Sequence, residues 1–202
     1  MSESLRERKK TRTREALVAA ATELFEERGF DAVTIDEIVA KADVSQRTFF
    51  RYFGSKEAVL FSDQDEMLAI VREAIASRPY DEPPLLALQR ALLVVTHHYA
   101  QHRELHLRRA RLASSGAAIA SYQQAVVLPQ WQDALAESIA DRLEVDPAQD
   151  MRPELLSGVA IAVMAAAGVA ALAEGGDVDV PALMDRAFAE LRTAVDDATA
   201  AS

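Results

Sequence analysis

The sequence predicts an all-α protein with an N-terminal three-helix helix-turn-helix domain and a C-terminal helical domain. Apolar residues recur at helical spacing along most of the chain, and no segment alternates apolar and polar residues as a half-buried strand does. Proline, glycine and short polar stretches interrupt this pattern where connections between helices are expected. The 202 residues are 50% hydrophobic and 27% charged, which is a globular composition.

The first helix is predicted over residues 11–28, where Leu17 and Leu24 lie on one apolar face. Gly29 supplies the left-handed residue that ends the helix, and Phe30 is placed to fold back on it.

The second and third helices are short and are separated by a tight turn. Thr34 and Glu37 form a capping box that begins the second helix. Ser45 is the predicted N-cap of a third helix that ends at Tyr52. Two short helices joined in this way are typical of a helix-turn-helix motif, here at about residues 34–53.

The rest of the chain is predicted as a second domain. Ser55 is expected to cap a long connecting helix over residues 55–77. The predicted domains are therefore residues 1–54 and 55–202. Further helices are expected over residues 85–113, 116–143 with a kink at Pro129, 153–174 and 181–199.

Charge is distributed unevenly along the chain. The net charge is −10, but residues 1–56 hold 11 basic and 10 acidic side chains, whereas residues 57–202 hold 11 and 22. Residues 1–14 alone carry six basic and two acidic side chains. This asymmetry indicates a nucleic-acid-facing N-terminal part. The absence of cysteine excludes disulfides, thiolate metal sites and a cysteine nucleophile.

Residues 24–57 closely resemble the DNA-binding domain of the tetracycline-repressor (TetR) family of regulators. The resemblance covers about residues 11–62, and the residues that carry it are Gly29, Phe30, Thr34, Ile38, Val39, Ala40, Val44, Ser45, Thr48, Phe49, Phe53, Ser55, Lys56 and Glu57. Asp43 stands where the turn usually has Gly, which is tolerable because Asp visits positive φ. Phe50 stands where Tyr is usual, and Tyr52 where His is common.

The start of the third helix has the chemistry needed to read DNA. Arg47 suits guanine O6 and N7, and Gln46 suits adenine N6 and N7. For Phe49, Phe50 and Phe53, packing in the core is the favoured interpretation and DNA contact is the other. A solvated helix face is the alternative for Gln46, Arg47 and Thr48, and a disordered tail is the alternative for the basic arm. The predicted DNA-binding residues are Arg12, Arg14, Thr34, Ser45, Gln46, Arg47, Thr48, Phe49, Tyr52 and Lys56.

The C-terminal domain carries candidates for binding a small effector. A basic cluster in residues 97–112 suits an anionic group, although pairing with the acidic surface is the alternative. The candidate ligand-binding residues are His102, His106, Arg109 and Trp131. This region has a diffuse likeness to TetR-family ligand domains of the acyl-CoA-like type. A metal-responsive site in residues 97–106 is a rival hypothesis.

Residues 155–173 and 183–191 resemble the last two helices of the family, which pair across a two-fold axis. The predicted dimer-interface residues are Val159, Val163, Met164, Ala167, Leu172, Leu183 and Phe188. A homodimer also suits a palindromic DNA operator, because one short recognition helix reads few base pairs.

The sequence therefore predicts a homodimeric, ligand-responsive regulator of transcription, most simply a repressor, that binds double-stranded DNA and a small apolar or acyl-type effector. No catalytic residues, cofactor or resident metal are predicted, and a small helical enzyme is a weak alternative. Residues 155–173 reach membrane-spanning length, but their Ala and Gly content and acidic flank argue against insertion. Without a signal-peptide pattern, a cytoplasmic location is expected.

Overall fold

The computed structural model describes residues 5–101, 116–173 and 178–200, and within these ranges it contains helices and no β-strand. The all-α prediction is confirmed. The helices are α1 (Leu5–Arg28), α2 (Ile35–Lys41), α3 (Gln46–Tyr52), α4 (Lys56–Leu60), α5 (Gln64–Ala76), α6 (Pro84–Gln101), α7 (Ala117–Tyr122), α8 (Leu128–Leu143), α9 (Arg152–Ala173) and α10 (Val180–Ala200), with a π-helix at Gln123–Val127.

The chain forms two compact units. The first contains the described residues of Met1–Asp63 and Leu105–Ala125, and the second those of Gln64–Glu104 and Val126–Ser202. The boundary therefore falls after Asp63 and not at the predicted residue 54. The reason is that Val59, Leu60 and Ile119 are buried in the core of the first unit.

The turns around the helix-turn-helix motif follow the sequence signals. Gly29 has φ of 80°, and the rings of Phe25 and Phe30 lie 4.9 Å apart across the end of α1. Asp43, between α2 and α3, has φ of 52°. The left-handed position predicted at Gly29 and the positive φ foreseen at Asp43 are both present.

The long helix predicted over residues 55–77 is wrong. Ser55 does cap a helix, since its hydroxyl accepts a hydrogen bond from the Ala58 amide at 3.3 Å, but that helix ends at Leu60. Phe61 then leaves the helical region with φ of −105° and ψ of 29°. Its ring stacks on Tyr122 of α7 at 5.7 Å, within the first unit, so a tertiary contact interrupts the local helical pattern.

The second unit is built from α5, α6, α8, α9 and α10 around buried apolar side chains. Helical backbone continues without a break from Ala117 to Leu143, as predicted for residues 116–143, and it includes the π-helix Gln123–Val127. Pro129 lies two residues after this π-helix, and both features are usual causes of a helix kink. Largest among the core side chains are Met67, Ile75, Leu88, Leu92, Leu135, Ile139 and Phe188.

One described helix is long and apolar enough to cross a membrane by length and composition alone. It covers Arg152–Ala171, with a mean hydropathy of 1.9, and 22% of its most apolar window is buried. Core helices of soluble proteins pass the same test, so this feature is weak evidence for a membrane span.

Candidate nucleic-acid interface

The start of α2 is fixed by a complete capping box. The Glu37 amide donates to Thr34 Oγ1 at 3.3 Å, while the Thr34 amide and hydroxyl donate to Glu37 Oε2 at 2.8 and 2.9 Å. The pKa of Glu37 is lowered to about 2. The largest cause is the hydrogen bond from the Thr34 backbone, and the next is the hydrogen bond from Arg28 at 2.6 Å. The Thr34 hydroxyl, a predicted DNA contact, therefore caps the N-terminus of α2.

The start of α3 is capped by Ser45 as predicted. Ser45 Oγ accepts the Thr48 amide at 3.2 Å, and the two hydroxyl oxygens lie 3.0 Å apart. These bonds orient the first turn of α3, the part of a recognition helix that meets base edges.

Gln46 and Arg47 are both exposed in this first turn, but their environments differ. The Gln46 amide nitrogen donates a hydrogen bond to Asp36 Oδ1 of α2. Arg47 has no hydrogen bond or ion pair with any described residue. The exposed start of α3 therefore carries the Gln46 amide, which is held by a hydrogen bond, and the Arg47 guanidinium, which has no hydrogen bond or ion pair with a described residue.

Phe49 is wrong as a DNA-binding residue. It is fully buried in the first unit, with its ring 5.8 Å from that of Phe53. Phe50, which was not predicted as a site residue, is 53% exposed and meets the Phe49 ring edge-on at 5.5 Å. The helical period carries the signal that could have found it, because residue 50 lies one turn after Gln46.

Lys56 is also wrong as an outward-facing phosphate contact. Its amino group donates to the carbonyl oxygens of Phe30 at 2.7 Å and Val33 at 2.8 Å. The same nitrogen lies 4.2 Å from the centre of the Phe30 ring. Lys56 therefore ties the loop between α1 and α2 to the start of α4.

Arg14 and Tyr52, two further predicted residues, lie at the other end of α3. Arg14 is half-buried, with its guanidinium 5.7 Å from the centre of the Phe53 ring, and Arg12 is exposed. Tyr52 is half-buried beneath the guanidinium of Arg51, at 5.1 Å. Arg51, an exposed cation one turn after Arg47, was not predicted as a site residue.

In the second unit, His102, His106 and Arg109 lie outside the described residues. Trp131 is 5% exposed and belongs to the core of α8 and its neighbours. A groove of about 610 Å³ opens between α5 and α6. It is lined by Glu66, Ala69, Ile70, Glu73, Ala74, Ser77, Arg78, Arg90 and Val94, so the predicted Trp131 does not line it.

Arg90 lines this groove, hereafter the α5–α6 groove, and is held by Glu82. Glu82, whose side chain is 6% exposed, accepts hydrogen bonds from Arg78 at 2.7 Å and from Arg90 at 2.5 Å. The Arg78 hydrogen bond, more than any other interaction, lowers the pKa of Glu82. The Arg90 side chain remains 49% exposed.

No group of three or more potential metal ligands occurs among the residues that the structure describes. In the rival metal cluster, His97 Nδ1 lies 2.7 Å from the Leu93 carbonyl oxygen and His98 Nε2 lies 4.0 Å from Glu66 Oε1.

Several predicted dimer-interface residues belong to the core of the protomer. Val163, Ala167, Leu183 and Phe188 are 6%, 3%, 4% and 0% exposed. They cannot form an outer face, because they are packed against their own chain. Val159 and Met164 are half-buried, and the side chain of Leu172 lies outside the described residues. Exposed apolar side chains of α9 form another row, composed of Leu155, Ala162, Ala166, Val169 and Ala173.

Comparison with known proteins identifies the family. Residues 17–62 match the family described as bacterial regulatory proteins, tetR family, and residues 82–196 match the MftR C-terminal domain. The chain is 32% identical to the HTH-type transcriptional regulator TcmR of Streptomyces glaucescens over 79% of this chain and 73% of that protein. The chain belongs to the TetR family. It is a ligand-responsive, DNA-binding transcriptional regulator.

Solved TetR-family structures share its fold. A regulator from Streptomyces coelicolor is 22% identical, with a TM-score of 0.55, and the match covers 94% of this chain and 83% of that one. Thermus thermophilus FadR, a repressor in complex with lauroyl-CoA, is 26% identical with a TM-score of 0.54, covering 87% and 91% of the two chains.

Proposed function

We propose that this TetR-family regulator is a repressor that binds a palindromic operator as a homodimer and leaves it when a small apolar or acyl-type effector binds. The observation that carries the DNA-binding proposal is Arg47, exposed and without a described partner at the start of α3. A guanidinium has five N–H donors, and an unengaged one at this position suits guanine O6 and N7.

Other groups of the first unit have complementary roles. Gln46 reads a base through its remaining N–H and its carbonyl oxygen, while its bond to Asp36 holds the amide in place. Arg51 and Arg12 contact phosphates, which position the protein without specifying sequence. Two copies of α3, about 34 Å apart in the dimer, meet successive major grooves on one face of the duplex.

The exposed row of α9 supports the homodimer. Leu155, Val159, Ala162, Ala166, Val169 and Ala173 follow one another at alternating spacings of four and three residues. This spacing forms a continuous stripe along one side of a helix, and small side chains permit close approach of a second helix. Leu155 and Val169 are 57% and 70% exposed in the single chain. A second copy of this chain removes that apolar surface from water.

The α5–α6 groove supports an elongated amphipathic effector. Ala69, Ile70 and Val94 give it an apolar lining, and Arg90 adds a guanidinium whose side chain is 49% exposed while it pairs with Glu82. An acyl chain with an anionic head suits these two surfaces. Lauroyl-CoA, the ligand of the Thermus thermophilus repressor, is a molecule of this chemistry.

Release from DNA follows if the effector binds one conformation of the dimer more tightly than the operator-bound one. The effector shifts the equilibrium only by this difference in affinity. Neither DNA binding nor release requires a catalytic step, so the proposed function is that of a regulator and not of an enzyme. Because the proposed target is genomic DNA, the proposal includes a cytoplasmic location.

Selection of genomic DNA fragments by the purified protein, followed by mass measurement of the complex, tests the proposal. We expect one enriched palindrome bound by two chains. Val169→Glu places a charge in the α9 stripe and should abolish dimers and operator binding together. Ala76→Glu, on the exposed side of α5, is the matched control and should retain both. No enriched sequence, or binding by a single chain, contradicts the proposal.

Loading the protein with lauroyl-CoA tests the effector assignment separately. Release of the operator by the wild type, and a requirement for more ligand in Arg90→Gln, are expected. Release at equal concentrations in both proteins contradicts an anion-binding role for Arg90.

A further inference from the structure

The N-terminal part of α1 projects beyond the core of the first unit. The first buried residue of this helix is Leu17, and every residue from 5 to 12 is exposed. The twelve residues before Leu17 extend the helix by about 18 Å, at 1.5 Å per residue. Residues 5–12 of the basic arm are therefore helical, which argues against the alternative of a disordered tail.

This projection is strongly cationic. Residues 5–16 carry six basic side chains against Glu7 and Glu15. Arg6, Arg8, Lys9, Lys10 and Arg12 form no ion pair with any described residue. Three like-charged pairs, Arg6 with Lys10, Arg8 with Arg12 and Lys10 with Arg14, lie four residues apart. Such pairs destabilise an isolated helix by about 0.2–0.5 kcal/mol each. Helix stability therefore does not explain this sequence.

The cations on one side of the projection continue the core-facing stripe of α1. Arg6, Lys10 and Arg14 lie one turn apart on the side that carries Leu17 and Leu24 further along the helix. We call these three residues the cationic stripe. The side of α1 that packs on protein at its C-terminal half thus becomes cationic toward its N-terminus, where Arg6 and Lys10 are exposed.

Arg14 connects the cationic stripe to the recognition helix. Its guanidinium lies over the ring of Phe53, the residue that ends α3, at 5.7 Å. Lys10 and Arg6 follow about 6 and 12 Å further along the helix axis. A length of about 12 Å corresponds to three or four base pairs along a duplex, at about 3.4 Å per base pair.

We propose that the cationic stripe binds the phosphate backbone of duplex DNA just outside the base pairs that α3 reads. This inference rests on the proposed function, because it requires α3 to lie on DNA. The operator of this protein is thereby longer than its palindrome, and the flanking base pairs add affinity without adding sequence preference.

Two duplexes test this proposal: the selected palindrome alone, and the palindrome extended by roughly six base pairs at each end. Wild type should bind the long duplex at least tenfold more tightly at low salt. In Arg6→Gln/Lys10→Gln that gain should disappear, and the salt dependence on the long duplex should weaken by about 0.9 in log–log slope for each phosphate that is no longer neutralised. Binding to the short duplex should stay unchanged.

Arg8→Gln is the matched control for Arg6→Gln, because it removes the same charge from the opposite side of α1. Glutamine keeps the helix propensity of both positions. The proposal is overturned if the two single variants lose equal affinity, or if the double variant loses equal affinity on both duplexes. Either result would indicate a diffuse electrostatic attraction to DNA. Failure of wild type to bind either duplex would instead refute the proposed function.

Discussion

The side-chain amide of Gln46, in the first turn of the recognition helix, donates a hydrogen bond to the carboxylate of Asp36 in α2. The bond crosses the turn of the helix-turn-helix motif and orients the amide before DNA arrives. An oriented group loses less conformational entropy on binding than a free one.

Replacing Asp36 tests this preorganisation. Asp36→Ala removes the anchor of Gln46 and also one negative charge near the DNA. We expect weaker discrimination, by about 1 kcal/mol, at the base pair that Gln46 reads, together with tighter binding to random DNA. Asp31→Ala removes an equal charge from the loop between α1 and α2, and it should increase random binding alone. Identical specificity profiles in the two variants would argue against the anchor.

The second prediction is that Phe50 contacts one thymine methyl group in each half-site. Its ring is half-exposed on the face of α3 that carries Gln46, and the apolar group available in the major groove is the thymine methyl. Substituting deoxyuridine for thymidine, one position at a time, should weaken wild-type binding several-fold at one position in each half-site. Phe50→Ala should be insensitive to that replacement. A sensitivity that persists in Phe50→Ala assigns the methyl contact to another side chain.

Lys56 should stabilise the protein without contributing to the salt dependence of DNA binding. Lys56→Met loses two hydrogen bonds from a charged donor, so the free energy of unfolding should fall by roughly 2 kcal/mol. Denaturant unfolding measures this loss, and salt titration of operator binding measures the electrostatic role. Unchanged stability with a salt slope reduced by about 0.9 would restore Lys56 as a phosphate contact.

The lowered pKa of Glu37 predicts that the free energy of unfolding decreases at acid pH. Its pKa is about 2 in the folded chain and 4.5 in its ordinary state, so between these values the unfolded chain binds more protons. Stability from Glu37 is therefore present above about pH 4.5 and is lost as the pH falls toward about 2. Glu37→Gln keeps a capping-box side chain that does not titrate. Its unfolding free energy should fall less steeply with pH across this window, whereas parallel curves contradict the assignment.

Local chemistry made much of the N-terminal unit predictable. The caps at Thr34, Ser45 and Ser55 act within three residues, so the sequence reveals them directly. The break after Leu60 depends on the contact between Phe61 and Tyr122, which are distant in sequence. No local pattern indicates such a contact.

The site followed the same division. The exposed positions of Arg47 and Gln46 at the start of α3 were predictable because position in a helix is a local property. Lys56 was misassigned because its partners, Phe30 and Val33, lie 26 and 23 residues upstream. The dimer residues were misassigned because apolar composition does not tell whether a helix face packs on its own chain, as Phe188 does, or faces outward, as Val169 does.

The proposed function requires that sequence-specific binding depend above all on Arg47, which we expect to read a guanine in each half of a palindromic operator. The most direct test is a binding cycle at about 150 mM salt. Wild type, Arg47→Ala and the control Arg51→Ala are each measured on the selected operator and on copies carrying 7-deazaguanine, which lacks N7. We predict that one such replacement per half-site costs wild type and Arg51→Ala roughly tenfold in affinity and costs Arg47→Ala nothing further. A cost to Arg47→Ala equal to that of wild type at every guanine would contradict this role.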